Sequence, residues 1–289
     1  MTRISVAGAI RFAYGFAFTQ IGAIIGLVWL PLVLVAILQF LPYALGTAYP
    51  GGDPGQTGES TALNLVFSTA AFALYAMNGV AVTRQALGLR QGTASVHFAF
   101  GWPEWRMFAA IVISGLIFVA SIGVYVMIGT ALFAVVRSMP FLDVAAEIYT
   151  FVGLCAVVWL ALRLFFLLPP IIVVEERVDF LRAWILSRGN FWRIFAVILA
   201  VTVPILLIQI AAIAAIVGPG IFAPLPDNQG ALSLALQARI AMVDRHMASM
   251  IGLALVLAPF SLGLTLGASS SAYRALAGDR APKPPSPQQ

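Results

Sequence analysis

The sequence predicts an all-α polytopic membrane protein of six transmembrane helices, and three observations carry that expectation. Only 9% of its 289 residues are charged, while 61% are hydrophobic; a soluble domain carries roughly 25% charged residues. Six apolar runs reach the roughly 20 residues that a helix needs to cross a hydrocarbon core. The basic residues between those runs alternate between abundant and sparse, as the positive-inside rule requires of a multi-pass chain.

The runs are Ile21–Leu45, Ala62–Val82, Ala109–Val136, Ile148–Leu168, Ile194–Val217 and Met247–Ser269. Arg3 and Arg11 precede the first run, but a signal peptide has an apolar core of only about 7–15 residues. The first run is therefore expected to be a retained anchor. One set of connections carries Arg3, Arg11, Arg84, Arg90, Arg106, Arg177, Arg182, Arg188, Arg193, Arg274, Arg280 and Lys283. The opposite set carries only Arg137, Arg239 and Arg245. This asymmetry predicts cytoplasmic N- and C-termini.

Between the first two runs, Gly46–Ser60 is rich in Gly and Pro and reads as a flexible loop. The segment Pro219–His246 is longer, and its Ser233–Ala248 stretch is expected to form a helix on the membrane surface. The tail Asp279–Gln289 (DRAPKPPSPQQ) has a disordered composition. The domain division is thus 1–278 as a single six-helix transmembrane domain and 279–289 as a disordered cytoplasmic tail.

The spans group as three hairpins, with amphipathic lead-in segments on the cytoplasmic side. Ser95–Phe108 leads into the third span and Val178–Phe195 into the fifth. Trp105-Arg106-Met107-Phe108 and Trp192-Arg193-Ile194-Phe195 match as W-R-[MI]-F; before the first span, Phe18-Thr19-Gln20-Ile21 keeps only the aromatic. TRQALG (Thr83–Gly88) after the second span is similar to YRALAG (Tyr273–Gly278) after the sixth. A triplicated hairpin and ordinary Trp and Arg interface anchors both account for these matches.

Catalytic signatures are absent: there is no H-E-x-x-H, no G-x-S-x-G and no Walker loop. The two histidines, His97 and His246, fall on opposite sides of the predicted membrane and cannot share a metal. Cys155 is the only cysteine, which leaves no intrachain disulfide and is expected to be inert packing. No acidic residue falls at the centre of a span, where a proton relay would need one. Neither catalytic residues nor a cofactor nor a metal are expected. The thinly spread positive charge is read as topology, not as a nucleic-acid surface.

Arg163 is the one ionisable residue well inside a run, shortly before Pro169-Pro170. It is expected near the cytoplasmic end of its helix, snorkelling to the headgroups. Trp184, Arg188, Trp192 and Arg193 suit the same layer. These five residues are the candidate lipid headgroup contacts. The mixed-sign group Glu175, Glu176, Arg177, Asp179 and Arg182 reads by default as a solvated charge run, with docking a partner or latching the loop as the alternatives. Gly22-x-x-x-Gly26 and Gly263-x-x-x-Gly267-x-x-x-Ser271 are expected to let helices approach closely. Pro31 and Pro204 should kink their spans.

The run RLFFLLPPIIVVEERVDFLRAWILSRGNFWRIF (Arg163–Phe195) resembles the glycerophosphoryl diester phosphodiesterase membrane-domain family and its YciC-like relatives. Pro170, Glu175, Ala183, Ser187, Gly189, Asn190 and Trp192 carry the likeness, with Ser187 standing closer to Gly189 than in the family pattern. Ala86–Phe100 and Ser270–Arg280 are similar to the family's loop after span two and its last-span exit. The resemblance implies six helices in a bacterial inner membrane and no phosphodiesterase activity, since in fused relatives the enzyme is a separate soluble barrel. The expected function is therefore non-enzymatic: handling or sensing lipid, or scaffolding a protein partner or second copy. A small-solute transporter or channel is the alternative.

Overall fold

A chain this apolar must satisfy its backbone hydrogen bonds within each span, and helices do so. The computed structural model describes residues 3–44, 57–90, 98–136, 143–226 and 228–278, and all regular structure there is helical. The elements are α1 (Val6–Thr19), α2 (Ile21–Ala44), α3 (Thr57–Ala86), α4 (Trp102–Val136), α5 (Asp143–Phe165), α6 (Leu168–Glu175), α7 (Phe180–Ser187), α8 (Phe191–Val217), α9 (Gln229–Arg245) and α10 (Met247–Ala277). A single 3₁₀ turn, Pro219–Phe222, follows α8. Helices α2, α3, α4, α8 and α10, with α5 continued through α6, are the 6 candidate spans. Of the expected flexible loop Gly46–Ser60, residues 57–60 instead form the first turn of α3; residues 46–56, the tail 279–289, His97 and Arg137 lie outside the described residues.

Local chemistry explains where these helices start and stop. Ser5 caps α1, its Oγ accepting from Gly8 N–H at 3.2 Å. Glu104 reaches back over the start of α4 and accepts the Gly101 N–H at 2.9 Å, half of a capping box. Trp102–Phe108 consequently forms the first turns of one continuous helix with the third span. α5 stops at Phe165, and the Pro169-Pro170 pair sits at the start of α6, where a missing N–H costs nothing. α6 ends at Glu176, the one non-glycine residue with positive φ among those described (52°). The TRQALG and YRALAG exits also share geometry: Gly88 and Gly278 both have positive φ, 64° and 59°, which L side chains resist.

Burial is concentrated at the arginine-rich end. Here Leu167 and Ile171 from the α5–α6 segment, Ile194 and Val197 of α8, and Ala268 and Tyr273 of α10 close one cluster around α1. A second joins α2, α3 and α10, and a third brings Ala76 and Val80 of α3 against Met107 of α4 and Ile172 of α6. α10 is central, packing on α1, α2, α3, α6 and α8. Lipid supplies no hydrophobic drive between helices, so close contact has to come from small residues. Gly263 and Gly267 provide it: a Cβ on Gly267 would lie 3.0 Å from Phe16 and 3.4 Å from the Ala13 backbone. The expected small-residue seam on the sixth span is therefore an internal α10–α1 contact. At Gly22 a Cβ would meet nothing, so that position supports no close approach.

The other end of the bundle is open. No residue in the apolar window of α4 is buried. Towards that end α4 and α5 touch each other through stacked Tyr125 and Tyr149 rings, 5.2 Å apart, with the Tyr149 hydroxyl donating to Tyr125 O at 2.6 Å. The large apolar side chains left exposed, such as Leu116, Val119, Phe151 and Leu154, match hydrocarbon and would be untenable in water.

Candidate functional site

Helical spacing places Trp159 and Arg163 on one face of α5, one turn apart. Arg163 lies in the last turn of that helix. Opposite it stands α7, a two-turn helix whose start is fixed by Asp179, accepting the Arg182 N–H at 2.7 Å. α7 presents Trp184 and Ser187 to Arg163. The guanidinium carbon sits 3.9 Å from the Trp184 ring centroid and 5.1 Å from that of Trp159. Its Nε donates to Ser187 Oγ at 3.3 Å, and that hydroxyl donates to Trp184 O at 3.0 Å. The two indoles meet edge-on at 5.3 Å. Cation–π contacts of this kind contribute about 0.5–2 kcal/mol each.

Arg163 is thus held between rings and does not simply snorkel. Arg188, the residue after α7, is exposed and directly follows Ser187, whose hydroxyl accepts from Arg163. Among the described residues neither arginine has a carboxylate partner. Gly189, at φ 78°, then turns the chain into α8. Arg163, stacked on two tryptophans without a carboxylate partner and with exposed Arg188 next along the chain from its Ser187 partner, forms a site that an anionic group would complete.

Of the five expected headgroup residues, the structure brings Arg163, Trp184 and Arg188 together. Trp192 is 75% exposed on the first turn of α8, bordering the cluster through Phe191, which lies 6.2 Å from Trp159. Arg193 turns elsewhere: its Nη1 donates to Ile4 O at 2.8 Å, while Asn190 Oδ1 accepts the Ile4 N–H at 3.3 Å. It tethers the start of the chain to α8. Trp159 and Ser187 were not singled out as site residues; the W-x-x-x-R spacing on α5 was the available signal for the first.

The mixed-sign group latches through Glu175 and Arg182, while Glu176 and Arg177 stay solvent-exposed. The Glu175 side chain is only 8% exposed, and it pairs with Arg182 at 3.1 Å and Arg177 at 3.0 Å. The Tyr273 hydroxyl of α10 donates to it at 3.2 Å. Arg106 of α4 reaches Glu176 at 3.5 Å. Together these contacts clamp α6 and α7 to α10 and α4, which fixes Trp184 and Ser187 over Arg163.

Between α5 and α8, continuous with the Trp159 face of this site, lies an apolar groove of about 600 Å³. Among the described residues, no group of three or more His, Cys, Asp or Glu side chains converges on a metal position. No known protein family, curated protein or solved structure matches the chain.

Proposed function

We propose that this protein is a non-enzymatic component of a bacterial inner membrane, related to the glycerophosphoryl diester phosphodiesterase membrane-domain family, that binds anionic lipid headgroups. The observation that carries this reading is Arg163 itself: a positive charge without a carboxylate partner among the described residues, caged by Trp159 and Trp184 at the end of a span, with exposed Arg188 directly after its Ser187 partner. Anionic lipid supplies the missing charge at that depth, where each arginine contributes on the order of 1 kcal/mol. Sensing lipid, handling it, and using it to seat a protein partner or second copy all rest on that one contact.

Thermal unfolding in detergent tests it. At about a hundredfold excess over Kd, phosphatidylglycerol should raise Tm by roughly 5 °C or more, and phosphatidylcholine much less. The exposed Arg188→Gln change should remove most of the difference. Equal stabilisation by both lipids, or none, would refute the reading.

The proposal includes three hairpins with both termini cytoplasmic, in keeping with the arginine distribution. A C-terminal fluorescent fusion should then glow in cells, while a periplasm-dependent reporter placed after Pro226 should be active; the reverse pattern would overturn the orientation. One observation favours a transporter instead. Asn78, Thr83 and Ser270 are buried with polar atoms that have no hydrogen-bond partner, as water or solute in the bundle would require. Solute flux in reconstituted vesicles that is lost in Asn78→Leu would move that reading to the front.

A further inference from the structure

We infer that the groove between α5 and α8 is an acyl-chain site, holding one chain of an anionic glycerophospholipid whose phosphate sits against Arg188 and Arg163. The inference deepens the headgroup reading and rests on it. The groove is lined by Val152, Cys155 and Val158 of α5 and Phe191 and Phe195 of α8, with Trp159 and Trp192 also on its walls. Trp159 also touches the Arg163 guanidinium, so the charged site and the apolar channel share a wall.

Length fixes the occupant. Val152 precedes Arg163 by eleven residues, about 16 Å along a helix at 1.5 Å per residue. That is close to one leaflet's share, about 15 Å, of a hydrocarbon core roughly 30 Å thick. The groove therefore runs from the headgroup layer towards the bilayer midplane, the path of a phospholipid chain. Its volume, about 600 Å³, falls within the roughly 300–1,000 Å³ of small-molecule sites. A free phosphate would use the arginines and leave this lining empty. The latch at Glu175 ties α7 to α6 and α10, which keeps Trp184 over Arg163 at the charged end of the groove.

Tryptophan quenching by lipids brominated in mid-chain reads the chain directly. In mixed micelles, brominated phosphatidylglycerol should reach half-maximal quenching at a mole fraction roughly fivefold below that of brominated phosphatidylcholine, the advantage of about one arginine. Replacing both groove tryptophans, Trp159→Phe with Trp192→Phe, should remove the low-mole-fraction phase by removing the reporters, and Cys155→Phe should remove it by filling the groove. Equal quenching by the two lipids would reduce the groove to ordinary boundary lipid. Preferential thermal stabilisation by phosphatidylglycerol without preferential quenching would overturn the acyl site and leave the headgroup site standing. Loss of both preferences would overturn both.

Discussion

Glu175 shows how much a single side chain can decide. It is a nearly buried carboxylate satisfied by two arginines and a tyrosine from three parts of the chain. Removing the carboxylate strands Arg182 and the buried Tyr273 hydroxyl, while the exposed Arg177 rehydrates. Glu175→Ala should destabilise the protein by about 3 kcal/mol, while Tyr273→Phe, which deletes one hydrogen bond, should cost about 1 kcal/mol. Chemical unfolding in detergent measures both, and near-neutral values would show the cluster to be a solvated run after all. The sequence made Arg163 conspicuous because a lone charge in an apolar run has few explanations. It could not reveal the stacking on Trp184, since Arg163 and Trp184 belong to different helices and meet only through the α6–α7 turn.

At the level of elements, short motifs were legible in phase but not in partner. In both W-R-[MI]-F copies the tryptophan is exposed and the following Met107 or Ile194 is buried, so the two share a helical orientation. Their arginines diverge: Arg106 pairs with Glu176, and Arg193 holds Ile4. The two small-residue motifs diverge as well. Gly263 and Gly267 receive α1 at close range, whereas Gly22 faces open space. Spacing alone cannot tell these apart, because a span that is apolar all round gives no sign of which face meets protein and which meets lipid. Gly267→Val should therefore be destabilising, by about 1–3 kcal/mol from overpacking against Phe16 and Ala13. The matching Gly22→Val change should be nearly neutral. Comparable losses at both positions in detergent unfolding would contradict the α1–α10 packing.

For the whole molecule, composition was sufficient to announce the class. Hydrophobic length, helix and a hydrocarbon solvent imply one another, so six runs became six helices apolar enough to cross a membrane. The asymmetry of the bundle was not legible: tight and polar at the arginine-rich end, with apolar side chains exposed along α4 and α5 towards the other. That asymmetry arises from the Pro169-Pro170 break, the buried α6 and the Glu175 latch, which bind one end and leave the other to the bilayer. It also leaves room for the proposed site, the groove lined by α5 and α8.

Native mass spectrometry of the protein released gently from its membrane tests the central claim most directly. The site described above requires anionic phospholipid to be retained at fixed stoichiometry, and to be lost in Arg163→Leu and in Arg188→Gln. A lipid-free protein, or retention unchanged in both variants, would contradict it.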